Sequence, residues 1–498
     1  MTETDVLVVG AGPVGLTMAC ELARYGVRVR IVEKAAARSD RSKALVIWSR
    51  TLELIDRMGC TADFLAAGHK GTGANFIANG KRIGHINLSE VASPYPFALM
   101  IPQSETERLL EAHLQSLGVT VERQVEALNV TAGPDTVTTA LCDADGRQQT
   151  LTCAWLVGCD GAHSTARHAL GMAFQGETQP SDWILADVHL AGHALSLNEL
   201  NLYWHSAGIL AFFPITPDRY RIVADAGLAE GVEHRADPTL AQVQAVVDER
   251  GPGGIRVSDP LWLSSFRINE RKVKDYRVGR VFLAGDAAHI HSPAGGQGMN
   301  TGMQDAFNLA WKLALVCHGT CPPEPLLGSY GAERSPVGDR VLRDAGRLTS
   351  LAVMKNPVAQ TLRNLAAGFV LGLSTVRHGL EEKLAELSIG YPDSPLNGAH
   401  ARSLRGPGPG ERVAPRAGEP PIGAGNAPRF ALFTADAAGA AALASRFPAL
   451  LDPQIRPPLA DDGIWLARPD GYVAATAQSG DWEAIARTVA AVMSDGAG

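Results

Sequence analysis

The stretch "DVLVVGAGPVGLTMACELARYGVRVRIVE", Asp5–Glu33, constrains this chain more than any other. Val6–Val9 is a continuous apolar run, the kind that a parallel sheet buries on both faces. It breaks at Gly10-Ala11-Gly12-Pro13-Val14-Gly15, passes into a helical run to Arg24, and resumes as a second apolar strand, Val27–Val32, ending on Glu33. Glycines at this spacing serve a tight turn, close approach of backbone to a pyrophosphate, and close helix–strand packing. Amides at the helix N-terminus then face the diphosphate, and Glu33 stands where a carboxylate accepts from a ribose hydroxyl. The pattern predicts a Rossmann-like adenine-dinucleotide site, and alone it does not separate FAD from NAD. "GPGG" at Gly251–Gly254 and "GAGN" at Gly423–Asn426 lack the flanking strand and helix, so separate FAD and NAD(P)H folds are disfavoured.

With 498 residues, two or three domains are expected. A net charge of -7 argues against general affinity for nucleic acid or anionic membrane. The seven cysteines are odd in number and form no C-x-x-C pair, neither a disulfide framework nor a zinc pattern. No basic region or apolar signal core precedes the first strand, so a cytoplasmic location is expected. "LAAGFVLGLS", Leu365–Ser374, is too short to span a bilayer and reads as a buried or interface helix.

Along the chain, residues 1–178 read as the first part of the dinucleotide-binding domain, with about 75–100 contributing to a second unit. Short alternating strands such as "WILADVHL" and "GILAFFPI" place that second unit, an antiparallel substrate-binding sheet, at 179–266. Residues 267–400 return to the first domain and become helical. Pro- and Gly-rich sequence at 401–429 reads as a linker, and 430–498 as a final cysteine-free unit.

Two further clusters follow the first in fixed order: "CDGAHSTAR" (Cys159–Arg167) and "GDAAHIHSPAGGQGMN" (Gly285–Asn300). Over roughly residues 4–395 this order resembles the single-component FAD-dependent aromatic monooxygenases, the p-hydroxybenzoate and phenol hydroxylase superfamily. The C-terminal portion, including "IWLARPDGYVA", resembles the redox-inert thioredoxin-like tail of the phenol and polyketide hydroxylase branch. The implied fold is α/β: a Rossmann-like FAD-binding domain, an inserted antiparallel-sheet substrate domain and a thioredoxin-like α/β domain. The implied reaction is hydroxylation of an aromatic, phenolic or polyketide-like substrate with NAD(P)H and O2 through a flavin C4a-hydroperoxide. Epoxidation, Baeyer–Villiger oxidation or dehydrogenation on the same fold stays open, as does, more remotely, a non-catalytic nucleotide-dependent carrier. The implied partners are a small aromatic molecule and O2, with a homodimer left open.

The resemblance also implies residue roles. Gly10, Gly12, Pro13, Val14 and Gly15 hold the FAD pyrophosphate; Glu33 and Lys34 lie at the adenosine ribose. Gln103 and Gly285-Asp286 serve the ribityl chain, and Asp160-Gly161 the motif linked to FAD and NAD(P)H. Pro293, Gly296, Gly298, Met299 and Asn300 follow the flavin ring, where a glycine-rich helix start directs amides to a negatively charged edge. The family's flavin-contacting arginine is replaced by Lys43, with Arg41 nearby; a lysine cannot reproduce the bidentate fork. The acid that helps phenol hydroxylases ionise the phenol is absent from Leu45-Val46-Ile47.

No residue is a certain catalytic group; Pro293, His291 and Trp48 are the candidates. Trp48, Tyr203, His205, Phe212, Arg221, Pro293, Ala294 and Gly295 are candidate substrate-pocket residues, although strand alternation turns about half of the sheet residues elsewhere. His289 and His291 form an H-x-H pair without further ligands nearby, so no metal site is expected. Ser164 is expected to cap the helix that follows it.

Overall fold

The computed structural model describes residues 4–39, 42–228, 236–352, 354 and 356–494. In chain order, the elements that shape the site are β1 (Thr4–Val9), α1 (Pro13–Arg24), β2 (Val29–Glu33), α2 (Ser49–Met58), β3 (Gly73–Ala78) and β4 (Lys81–Asn87). After α3 (Gln103–Ser116) come β5 (Gln148–Gly158), α4 (Thr165–Ala169), β6 (Gln175–Ala191), β7 (Glu199–His205), β8 (Gly208–Pro214) and β9 (Arg219–Leu228). Next stand α5 (Leu240–Arg250), β10 (Arg256–Lys272), β11 (Val281–Leu283), α6 (Gly298–Cys317), α7 (Gly328–Ala352), α8 (Pro357–Gly372) and α9 (Ser374–Leu384).

Strands β1, β2, β5 and β11 pair in parallel, with β1 between β2 and β5. Val6, Leu7 and Val8 are wholly buried, as a strand sandwiched between helices must be. Helix α1 begins at the C-terminal edge of this sheet, and α6 packs along α1 with its start beside the same edge. That is where open α/β sheets bind ligands.

The second sheet is ordered β10-β6-β9-β8-β7-β3-β4. Alternation gives it two different faces. Ile184, Ala186, Leu210, Phe212, Ile222 and Ala224 point one way into a core sealed by Val243 and Val247 of α5. Leu185, Phe213, Arg221 and Val223 point the other way. The expected limits at 178 and 266 fall inside strands, because β6 and β10 are long arms paired from Gln175↔Lys272 to Ala191↔Arg256. These arms join the two units.

The C-terminal unit is a four-stranded sheet of Phe430–Phe433, Leu451–Arg456, Gly463–Ala467 and Val473–Gln478, the first two parallel and the others antiparallel. It is tied to the rest by buried ions. The Glu333 carboxylate accepts from Arg468 (2.6 and 2.9 Å) and from Lys312 (2.7 Å), all three fully buried. Such charges are tolerated in a core only when each holds the others. The expected linker is not a free tether: Arg412 is ion-paired with Glu53 of α2 at 3.1 Å.

Candidate active site

Two adjoining cavities run along the C-terminal edge of the parallel sheet, sharing Gly12, Cys159 and Gly161. The smaller, about 220 Å³, is lined by Gly10, Glu33, Lys34, Asp160 and His163. The larger, about 520 Å³, has Pro13, Val14, Lys43, Gln103, Asp286, His291, Pro293, Gly296, Gly298 and Met299 on one side. Leu185, Phe213, Arg221, Val223 and Phe266 of the second sheet form the other side.

The glycines of the first turn have different reasons to be there. Gly10 has φ +100°, and a Cβ there would lie 2.5 Å from the Cys159 carbonyl oxygen. A Cβ on Gly15 would sit 1.9 Å from the Gly10 oxygen. At Gly12 no protein atom lies within 4 Å of that position; a side chain there would instead project into space where the cavities meet. This trough fits an elongated dinucleotide. Asp160 completes the fit: Oδ2 accepts from Ala166 N–H (3.2 Å), while Oδ1 is buried without a partner. Buried polar atoms of that kind call for a ligand or water. Glu33 accepts from the Ala11 and Ala35 amides at 2.8 and 2.9 Å, which fixes its carboxylate at the end of β2. Ser164 caps α4 by accepting from Arg167 N–H.

The second glycine loop is anchored from behind by one carboxylate. Asp305 of α6 accepts from Gly285 N–H (3.0 Å), His289 Nε2–H (2.8 Å) and Arg334 Nε–H (2.6 Å). Burial alone would raise the Asp305 carboxyl, but Arg334 and His289 hold it below its ordinary value. Gly285 has φ +59°, and a Cβ there would meet Val14 at 2.7 Å, so the two glycine turns interlock. The Asp286 side chain, left without an ion pair or hydrogen bond among the described residues, faces the larger cavity; the surrounding walls desolvate its carboxyl and raise it, against the pull of His289 and Lys43.

His289 and His291 stack with ring centroids 6.4 Å apart but differ in use. His289 belongs to the Asp305 anchor. His291 Nδ1 donates to the Ser292 carbonyl at 2.9 Å, since a carbonyl can only accept, and Nε2 is buried with no partner. Burial and neighbouring His289 push the His291 imidazole down to about 4; the ring is neutral near pH 7.

Several residues stand otherwise than the sequence suggested. Asn300 does not face the cavity with its side chain: Oδ1 accepts from Trp48 N–H (2.9 Å), and Nδ2 donates to the Val46 (2.8 Å) and Gly296 (3.1 Å) carbonyls. Trp48 donates its indole N–H to the Gly295 carbonyl at 3.1 Å. Both brace the turn from outside, because their polar groups are taken by backbone. Ala294 and Gly295 do not line the cavity, unlike Pro293 and Gly296 beside them. Phe212 is fully buried on the opposite face of β8; alternation gives the wall to Phe213. Tyr203 packs edge-on against Phe212 at 5.8 Å. Tyr203 and His205 line a separate cavity of about 730 Å³, bordered by Arg82 and the end of α5. That space is larger but away from the glycine loops. Arg41 lies outside the described residues.

Arg221 does reach the cavity. It is held in a bidentate pair with Asp187 (2.7 and 2.8 Å) and donates to the Lys43 carbonyl at 2.8 Å. This fastens the loop carrying Lys43 to the substrate-side sheet. Gln103 lines the cavity while accepting from Ala44 N–H (3.2 Å) and donating to Glu107 (2.9 Å). Leu185, Val223 and Phe266 were not singled out from sequence; registering the alternation on Arg221 would have found the first two.

Behind the first turns of α6 lies Glu386, 1% exposed. It accepts from Thr301 Oγ1 (3.3 Å) and from the Gln304 amide. Gly298, Met299 and Asn300 precede the first internal hydrogen bond of α6, Thr301 N–H to the Gln297 carbonyl (2.8 Å). Their amides supply the positive end of the helix at the cavity.

Two glycine turns, a carboxylate with an unpartnered oxygen in each cavity and a helix start at the wider end form an FAD-shaped trough, and the family described as "FAD binding domain" matches residues 3–345. The chain belongs to this FAD-dependent aromatic monooxygenase family. Among curated relatives, 6-methylpretetramide 4-monooxygenase of Streptomyces rimosus is 38% identical over 95% of this chain and 91% of its own length. An anhydrotetracycline hydroxylase from Streptomyces rimosus superposes with TM-score 0.78 at 32% identity, covering 98% of this chain and 99% of that one. An aromatic hydroxylase from angucycline biosynthesis gives TM-score 0.78 at 30% identity, with 98% and 99% covered. The chain is thus a flavoenzyme that uses FAD, with O2 and NAD(P)H as the co-substrates of its family. No described helix is long and apolar enough to cross a membrane.

Proposed function

We propose that this monooxygenase hydroxylates a phenolic ring within a fused, polyketide-like aromatic molecule, working in the cytoplasm as a homodimer. The observation that carries the proposal is the larger cavity, which has a glycine-loop floor and an apolar wall of Leu185, Phe213, Val223 and Phe266. That wall suits a flat apolar ring, and the relatives above are named for 6-methylpretetramide and anhydrotetracycline. The seven cysteines are all free thiols, in keeping with a reducing compartment.

In this reading Gly10, Gly12 and Gly15 with the α1 amides hold the pyrophosphate, Glu33 and Lys34 the adenosine end, and Asp160, Gln103 and Asp286 the chain between. Pro293, Gly296, Gly298 and Met299 line the ring. FAD bound there would supply the activation of O2, with NAD(P)H as the reductant. The protein keeps water out with the apolar wall, orients the substrate against the loop, and favours its ionised phenolate through Lys43, whose loop Arg221 holds in place. The unprotonated Nε2 of His291 is an acceptor at the edge of the same cavity. We also infer that the C-terminal unit is a redox-inert thioredoxin-like module, supported by its strand order and its lack of cysteine.

The test is NAD(P)H oxidation by the purified flavoprotein across single-ring phenols and fused-ring phenols, with mass analysis of products. Stimulated oxidation with a hydroxylated fused-ring product is expected. Oxidation that yields only hydrogen peroxide with every fused-ring phenol, or product from single-ring phenols alone, would overturn the substrate class.

A further inference from the structure

In the C-terminal unit, the turn at Arg468–Gly471 joins the antiparallel strands Gly463–Ala467 and Val473–Gln478. Such a hairpin tip ordinarily faces water. This one is buried: Arg468, Asp470 and Tyr472 are 0, 3 and 2% exposed, set against α6 and α7. Attachment of the unit does not need buried ions, because Trp311 of α6 already packs edge-on against Phe430 at 5.7 Å. Burying ions carries a desolvation penalty that an apolar contact avoids. What the tip supplies beyond such a contact is a fixed register.

The tip grips the same two helices that anchor the glycine loops. On α6, Asn308 donates to Asp470 at 3.4 Å, one turn beyond Asp305. On α7, Glu333 accepts from Arg468, and its chain neighbour Arg334 donates to Asp305 (2.6 Å) and to the Thr301 carbonyl (2.9 Å). A third route runs through two rings. Tyr472 packs on Tyr391 with centroids 4.4 Å apart, and the Tyr391 hydroxyl accepts from Arg334 at 3.0 Å. Asp305 in turn holds the Gly285 amide and His289, while the Thr301 carbonyl belongs to the first turn of α6, whose start lines the cavity. We infer that the hairpin tip of the C-terminal unit is a brace for the FAD site, with Arg468 and Tyr472 as positioning residues that act through Arg334 and Asp305. A unit without cysteine thereby takes part in flavin binding from behind the loops.

The test measures FAD Kd and the visible circular dichroism of bound flavin on the full chain. Tyr472→Leu removes the ring on Tyr391 and leaves the ions in place; it is expected to raise Kd about tenfold, within the usual range of coupling between sites, and to alter the flavin spectrum. Tyr472→Phe keeps the ring and should retain wild-type values of both. Arg468→Lys keeps the charge without the fork on Glu333 and should also raise Kd. In a Tyr391→Phe background the effect of Tyr472→Leu should shrink, since that route to Arg334 is already cut. Ile485→Ala opens a cavity in the core of the same unit; it should lower Tm and leave Kd unchanged. Unchanged Kd in Tyr472→Leu and Arg468→Lys, a Tyr472→Phe that behaves like Tyr472→Leu, additivity with Tyr391→Phe, or an equal rise in Ile485→Ala would overturn the assignment. These measurements read FAD alone, so they are independent of the substrate class proposed above.

Discussion

Replacing Glu386 by Gln should stabilise the protein, increasingly so as the pH rises. This buried carboxyl sits on a residue with φ +59° and has no cation hydrogen-bonded to it among the described residues. Burial pushes it up to about 8 from an ordinary 4.5, against Arg334. The unfolded chain therefore releases this proton near 4.5, whereas the folded chain keeps it until about 8. Between those values the folded state binds the extra proton, so stability falls with rising pH and levels off above the folded value. At ~1.4 kcal/mol per decade, the upper bound on that loss is about 5 kcal/mol. Glutamine removes the ionisation, and Gln304 offers a buried carbonyl oxygen that lacks a partner, ready to accept from the new amide if its own turns over. With about 2 cal/mol/K of unfolding entropy per residue, the gain reads as roughly 2–5 °C in Tm. Thermal unfolding of both proteins with saturating FAD, at about pH 5 and about pH 9, checks it. A difference between variant and wild type that is the same at both ends would refute the reasoning.

Gly10→Ala should abolish FAD retention: the positive φ alone costs about 1–2 kcal/mol, and the new Cβ presses on the Cys159–Asp160 backbone just after β5; flavin absorbance of the purified protein reports it. Phe212→Ala should destabilise by about 3–5 kcal/mol with little change in substrate KM, because it empties a core. Phe213→Ala should do the opposite, raising KM more than it lowers Tm; denaturation paired with steady-state kinetics separates the two. Asp305→Asn should weaken FAD binding by loosening Gly285 and His289 together, and should lower Tm as well because buried Arg334 loses its counter-ion; the first is measured as a rise in FAD Kd, and an unchanged Kd would remove its anchoring role.

Much of the trough was legible because its chemistry is local in sequence. Gly10, Gly12 and Gly15 lie within six residues, and Glu33 follows at the end of the next strand, so spacing fixes their relative places. The wall was less legible. Phe212 and Phe213 are neighbours in sequence yet belong to opposite faces, and only the register Phe213↔Arg221 and Leu185↔Val223 assigns them. The bracing by Trp48 and Asn300 was not legible for another reason: Trp48 N–H donates to a side chain 252 residues away, and long-range partners cannot be read from a single chain. The Glu333–Arg468–Lys312 cluster was missed likewise, since each residue alone looks like a surface charge.

The central claim is that the larger cavity brings an aromatic ring to an oxygen-activating flavin. The most direct measurement is turnover of a fused-ring phenol under isotope-labelled dioxygen, followed by mass analysis of the product. One labelled oxygen atom in the new hydroxyl, and none when the label is in water, is the predicted result. Label arriving from water, or product formed at an undiminished rate without dioxygen, would contradict the account.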